Sequence, residues 1–137
     1  MPIVKVIDSS ILAKYLLKEE GWRRVAETLR ERPFTLDLAV KETANALWRR
    51  VVLLRDIDVD KASTLLDDLL KLKKALRVEP QDRYLRAAFE IAITHRITVY
   101  DALFIAQARA KNAVLVTADE KQYSIARGVG VEPVLVE

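Results

Sequence analysis

Residues 3–17, IVKVIDSSILAKYLL, set a strand directly against a helix. Ile3 to Ile7 is a short β-branched run that stops at Asp8, and the ILAKYLL that follows has the length and the leucines of a helix. Further along, Gly21 breaks the pattern, Trp22, Val25, Ala26 and Leu29 recur at helical spacing until Pro33, and Phe34 to Leu36 reads as a brief strand. Asp37 is placed as the next N-cap, before one helix from Leu38 to about Leu54 that carries Val40, Ala44, Leu47 and Val51 on one stripe. Glu42 falls in its first turns.

A second long helix is expected from Val59 to Leu76, where Leu65, Leu66, Leu69, Leu70 and Leu72 make a stripe wider than one core face requires. Leu76 to Val78 is weakly strand-like, Pro80 to Asp82 opens a helix ending near His95, and Val99 to Ala110 forms a largely apolar one. Ala113 to Val116 reads as a buried strand that ends at Thr117, Ala118 and Asp119. Gly128 and Gly130 mark the turn into a last strand, Val131 to Val136, where Pro133 points to a sheet edge. This βα alternation predicts an α/β fold with a central, mainly parallel sheet covered by helices on both faces, a three-layer α/β/α arrangement. No repeat, low-complexity tract or linker divides the chain, so residues 1–137 are expected to form a single domain.

Composition narrows the chemistry. The chain has 51% hydrophobic and 31% charged residues, the balance of a soluble globular core. Without cysteine there is no disulfide framework, thiolate nucleophile or Cys-based zinc site, and the single His95 leaves no histidine pair for a soft transition metal. Any bound metal would therefore take oxygen ligands. The run at the start is broken by Lys5 and Asp8 and is too short for a signal peptide or membrane span, so a cytoplasmic location without membrane contact is expected. The net charge of +3 is compatible with a polyanionic partner but weak by itself. The clusters Arg23/Arg24, Arg49/Arg50 and Lys71/Lys73/Lys74 could steer an RNA backbone, although solvated helix faces explain each of them.

Four carboxylates carry the functional reading: Asp8, Glu42, Asp101 and Asp119. Each stands where a strand ends or a helix begins, and in an open α/β sheet the carboxyl ends of the strands are where ligands bind. Structural roles compete for all four. Asp8 and Asp119 could be N-caps, Thr98 to Asp101 has the spacing of a capping box with Asp in place of Glu, and Glu42 could be an exposed helix residue near a favourable dipole end. Against this, Asp8 and Asp101 are flanked by Val6, Ile7 and Ile11 and by Val99, Leu103 and Phe104, where an unpartnered carboxylate is costly. One cation would relieve all four acids together.

The segments around these acids, VIDSSIL, the E-x-x-N-x-L of Glu42, Asn45 and Leu47, YDALFIAQA and LVTADEK, together resemble the four signature segments of PIN-domain ribonucleases, in particular the VapC-type toxins of toxin–antitoxin pairs. The match runs in order from Asp8 to Lys121. The resemblance implies a PIN-like fold, an Mg²⁺- or Mn²⁺-dependent endoribonuclease whose metal and catalytic acids are Asp8, Glu42, Asp101 and Asp119, and small hydroxyl residues, Ser10 and Thr117, that assist them. It further implies an RNA substrate, a cognate antitoxin and a homodimer or higher homo-oligomer. The wide leucine stripe, Trp22 and Trp48 leave apolar surface for such association.

Elementary chemistry is consistent with this. Hard divalent cations select oxygen, and Asp8 and Asp101 are assigned as the most direct ligands, with Glu42 and Asp119 left to a second ion, a bound water or general-base work. A haloacid-dehalogenase-type phosphatase would need a second Asp two positions after Asp8, where Ser10 stands; a receiver domain lacks its paired acids, and with three glycines there is no P-loop or G-x-G-x-x-G. Serine hydrolase chemistry lacks its histidine, since His95 reads as a helix-end surface residue. The rival from another class is a PIN-like module that binds RNA or protein without cutting.

Overall fold

The computed structural model describes residues 3–137. In chain order the elements are β1 (Lys5–Ile7), α1 (Ser9–Leu16), α2 (Trp22–Arg30), β2 (Phe34–Leu36), α3 (Asp37–Val52), α4 (Val59–Ala75), β3 (Arg77–Glu79), a 3₁₀ turn (Gln81–Tyr84), α5 (Leu85–His95), α6 (Val99–Lys111), β4 (Val114–Thr117), α7 (Glu120–Val129) and β5 (Pro133–Leu135). The strands form one sheet in the order β3-β2-β1-β4-β5, and all four pairings are parallel. The α/β/α arrangement expected from the sequence is present.

Neighbouring residues of a strand face opposite sides of the sheet. Val6 and Ile7 of β1 are both fully buried, as Leu115 and Val116 of β4 nearly are, so both faces must be covered. On one side α1 packs against α2, α3 and α4; α6 packs against α5 and α7. Ile11 and Leu12 of α1 and Phe104 and Ile105 of α6 close the core around the central strands. Fully burying side chains of this size contributes about 1.5–3 kcal/mol each.

The strand order places the chain's reversal between β1 and β4. From β1 it proceeds outward through β2 to β3, then returns to the other side of β1 as β4 and goes on to β5. In parallel sheets this switch point opens a crevice at the carboxyl ends of the two strands. Ile7 pairs with Val116, which sets Asp8 beside Thr117 at that crevice. Pro133 lies in β5, an edge strand as expected, where its missing N–H is least costly.

Three local expectations need correction. Asp37 is the first residue of α3, whose N-cap is Leu36; its carboxylate instead accepts from the Gln81 backbone N–H at 2.9 Å, tying α3 to the turn after β3. The region around Gly128 holds the helix α7 rather than a turn, and only Gly130, its C-cap at φ 89°, adopts the left-handed conformation. Leu85, not Pro80, begins α5 proper, because residues 81–84 form the tighter 3₁₀ turn.

The leucine stripe of α4 is divided. Leu69 is buried and Leu65 and Leu72 are half-buried, whereas Leu66 and Leu70 face solvent together with Trp48 and Val52 of α3. Trp22 is half-buried, edge-on to Tyr15 and flanked by Lys18 and Arg23. A second exposed apolar row, Leu85, Phe89 and Ile93, runs along α5 at four-residue spacing. Among the described residues no helix is long and apolar enough to cross a membrane.

Candidate active site

Asp8 follows β1 directly and is the N-cap of α1. The cap and the site are built by the same atoms. Its Oδ1 accepts from the Ser10 backbone N–H at 3.1 Å and from the Ser10 hydroxyl, and its Oδ2 accepts from the Thr117 hydroxyl at 2.6 Å. Only 5% of Asp8 is exposed. Burial pushes its carboxyl up to about 6, against the pull of the Ser10 and Thr117 bonds, and the charge of Asp119 adds to the rise. Three donors leave part of the carboxylate's acceptor capacity free.

The two hydroxyl residues knit β1 to β4. Ser10 Oγ accepts from the Ala118 N–H at 2.9 Å, and Thr117 Oγ1 accepts from the Asp119 N–H at 3.1 Å. Thr117 is fully buried, so these bonds are shielded from water. Asp119 caps α7 through its Oδ1, which accepts from the N–H groups of Lys121 at 2.8 Å and Gln122 at 3.0 Å. The carboxylate itself stays exposed.

Asp101 sits in the first turn of α6, where its N–H donates to Thr98 Oγ1, the N-cap side chain, at 3.2 Å. The capping half of the expected box is therefore formed. Asp101 is exposed by area, unlike Asp8, since Leu103 and Phe104 bury the other side of the helix. Partial burial and the charge of Asp119 nevertheless raise its carboxyl, while Thr98 and Lys121 lower it. Glu42, in the second turn of α3, is half-buried; burial raises it, Ser9 eases it, and the charges of Asp101 and Asp8 raise it further. Ser9 was not legible as a participant from the sequence, although it lies next to Asp8.

The four acids thus come from the ends of β1 and β4, the second turn of α3 and the first turn of α6, and each of Asp8, Glu42 and Asp101 feels at least one of the others. An all-oxygen set in which burial and neighbouring charge raise Asp8, Glu42 and Asp101 suits a hard divalent cation, whose charge offsets that repulsion. It is an open arrangement: among the described residues no three acidic or histidine side chains stand close enough to grip one ion. Repulsion between like charges favours that separation until a cation offsets it.

A different polar cluster lies on the β3 side. Glu79 accepts from Gln107 Nε2 at 2.9 Å and Tyr84 Oη at 2.7 Å and pairs with Arg83 at 2.6 Å and Lys111 at 3.0 Å. Burial works against its charge, yet Gln107, Tyr84 and Lys111 hold its carboxyl below the usual range. With four donors engaged it acts as a brace between β3 and α6. His95 ends α5, as a helix-end residue.

The PIN domain family model matches residues 5–128. Among proteins of known sequence, Ribonuclease VapC3 of Pyrobaculum aerophilum is 37% identical over 120 residues, which cover 85% of this chain and 89% of that one. Exonuclease VapC9 of the same organism is 32% identical over 137 residues, covering 99% and 96%. Among solved structures, PAE2754 from Pyrobaculum aerophilum superposes with a TM-score of 0.68 at 26% identity, over 98% of this chain and 92% of that one. A toxin–antitoxin complex from Klebsiella pneumoniae shares the fold with a TM-score of 0.67 at 10% identity, over 88% and 90%. The family match spans both strands and all four acids of the crevice, and this chain belongs to the PIN-domain family.

Proposed function

We propose that this protein is a divalent-metal-dependent endoribonuclease of the VapC type, the toxin of a cytoplasmic toxin–antitoxin pair. The observation that carries the reading is the buried Asp8 at the β1–β4 switch point, made more basic by burial and by Asp119, with Glu42 feeling the charges of both Asp101 and Asp8 and Asp101 feeling that of Asp119. Similarity to a relative named as a ribonuclease supports RNA as the substrate class.

Asp8 and Asp101 would hold the cation most directly, with Glu42 and Asp119 completing the acidic rim. Mg²⁺, or Mn²⁺ in its place, supplies activation of water and compensation of charge on the scissile phosphate when bound. Asp8 is oriented before any ligand arrives, since Ser10 and Thr117 fix both of its oxygens. Ser10 and Thr117 therefore act as positioning residues. Glu42, half-buried and raised by burial and by the charges of Asp101 and Asp8, is suited to accept a proton from water at the phosphate. Association with an antitoxin and with a second copy of the chain is supported by the solvent-facing Trp48, Val52, Leu66 and Leu70 and by the α5 row.

The test is cleavage of a single-stranded RNA under a Mg²⁺ and Mn²⁺ titration, with EDTA as the control. A circular RNA of the same sequence separates internal cutting from the end-dependent activity that an exonuclease relative suggests. Binding of RNA without cleavage at any metal concentration would favour the non-catalytic module instead.

A further inference from the structure

Gln122 is 5% exposed in the first turn of α7, where a polar side chain must find partners. It has one on each side of the acidic crevice. Its backbone N–H donates to Asp119 Oδ1 at 3.0 Å, and its side-chain Nε2 donates to the backbone carbonyl of Asp101 at 2.9 Å. A single residue therefore ties the carboxylate that starts α7 to the first turn of α6. No other side-chain hydrogen bond among the described residues joins these two helices.

We propose that Gln122 is a positioning residue that sets the separation of Asp101 and Asp119 and thereby the affinity of the acidic crevice for a divalent cation. The inference rests on the reading of those two acids as ligands. Asp101 and Asp119 carry like charge and repel each other across the crevice, which would push the first turns of α6 and α7 apart. The bond from Gln122 opposes this. A carbonyl has two acceptor sites, so the Asp101 oxygen can keep a helical partner and still accept from Gln122. Loss of the tie leaves every ligand present and α6 intact, but a cation then has to draw the two helix ends together at the expense of its own binding. Groups that orient metal-ligating side chains typically change metal affinity by about 10–100-fold when removed.

The experiment compares wild type with Gln122→Leu and Gln122→Met, two apolar replacements of similar size that cannot donate to Asp101. Mn²⁺ affinity is read from the paramagnetic resonance of free ion, independently of cleavage, and folding from thermal melts in EDTA. Expected are folded variants whose Mn²⁺ dissociation constant rises about tenfold or more, with cleavage recovering towards the wild-type rate at saturating Mn²⁺. A folded variant with the wild-type Mn²⁺ constant overturns the proposal while leaving the nuclease reading in place. Wild type that binds no Mn²⁺ removes the reading on which it rests. If both variants are unfolded in EDTA, Gln122 holds the fold rather than the ion, and the proposal fails.

Discussion

Thr117 Oγ1 donates to Asp8 Oδ2 at 2.6 Å, joining residues 109 positions apart in the chain. Thr117 ends β4 and Asp8 follows β1, and the parallel pairing of Ile7 with Val116 is what brings them side by side. The same hydroxyl accepts from the Asp119 N–H, so it orients one acid and anchors the loop that carries another. Secondary structure and site are continuous at this point: a one-residue slip of the β1–β4 register would turn Thr117 away and leave Asp8 buried without it.

Thr117→Val keeps the shape of the side chain and deletes both bonds. Leaving a buried acceptor and a backbone donor unpaired costs about 1–3 kcal/mol each at most, so the metal-free protein should melt several degrees lower. Cleavage should fall as Asp8 loses its orientation, and Thr117→Ser should restore both. Unchanged melting and activity in the valine variant would mean that the hydroxyl is idle.

The raised Asp8 carboxyl predicts an unusual pH profile for the metal-free protein. Its folded value of about 6 exceeds the unfolded value, so the native state binds the proton more tightly and stability is lost as pH rises between the two. The contribution is fully present below pH about 4 and is gone above pH about 6, a difference on the order of 3 kcal/mol. Glu42 and Asp101 shift in the same direction, whereas Glu79, held low by its partners, stabilises the fold above the unfolded carboxylate range and loses that contribution as pH falls through its own value. Asp8→Asn should flatten the profile between pH 4 and 6 in EDTA melts. A slope in that variant equal to wild type would show that Asp8 titrates normally.

Much of this was legible from the sequence because the informative acids stand at element ends, where strand runs stop and helix stripes begin. Ile3 to Ile7 ending at Asp8, and Ala113 to Val116 ending before Asp119, located the crevice before any pairing was known. What escaped is tertiary. The buried side chains of α7 are Gln122 and Ala126, so that helix has no large apolar stripe to announce it. Asp37 looks like a cap in sequence, but its partner, the Gln81 N–H, is 44 residues away. The apolar neighbours of Asp101 likewise misled, because on a helix they face the core while Asp101 faces outward.

The uncovered apolar row of α5 predicts association. Leu85, Phe89 and Ile93 are 48%, 56% and 64% exposed, one stripe of α5 continuous in spacing and unshielded by any described residue. Sedimentation at micromolar concentration should give a species heavier than the 15.6 kDa monomer, and Phe89→Glu combined with Ile93→Glu should return it to monomer if that row is the contact. A wild-type protein that sediments only as monomer would leave the row for a different partner.

The decisive prediction concerns the acids themselves. Asp8→Asn and Asp101→Asn preserve shape and remove charge, so each should reduce RNA cleavage by about 100-fold or more at fixed Mg²⁺. Stability should move the other way at Asp8. Removing a charge that is penalised chiefly by burial and further by Asp119 relieves both, and the metal-free Asp8→Asn protein at pH 7 should melt at or above wild type, since Asn is also a good cap for α1. A residue that serves only as a cap behaves differently: its replacement by Ala costs about 0.5–2 kcal/mol and leaves chemistry intact. Comparing Asp8→Asn, which keeps the cap and loses the charge, with Asp8→Ala, which loses both, therefore separates the two roles. Glu42→Gln and Asp119→Asn should impair turnover as well, with Asp119 the milder of the two because its carboxylate is already committed to α7. The measurements are EDTA melts and cleavage across a Mg²⁺ and Mn²⁺ titration on the same preparations. Near-wild-type cleavage by both the Asp8 and Asp101 variants would end the nuclease assignment and leave a PIN fold that binds without cutting.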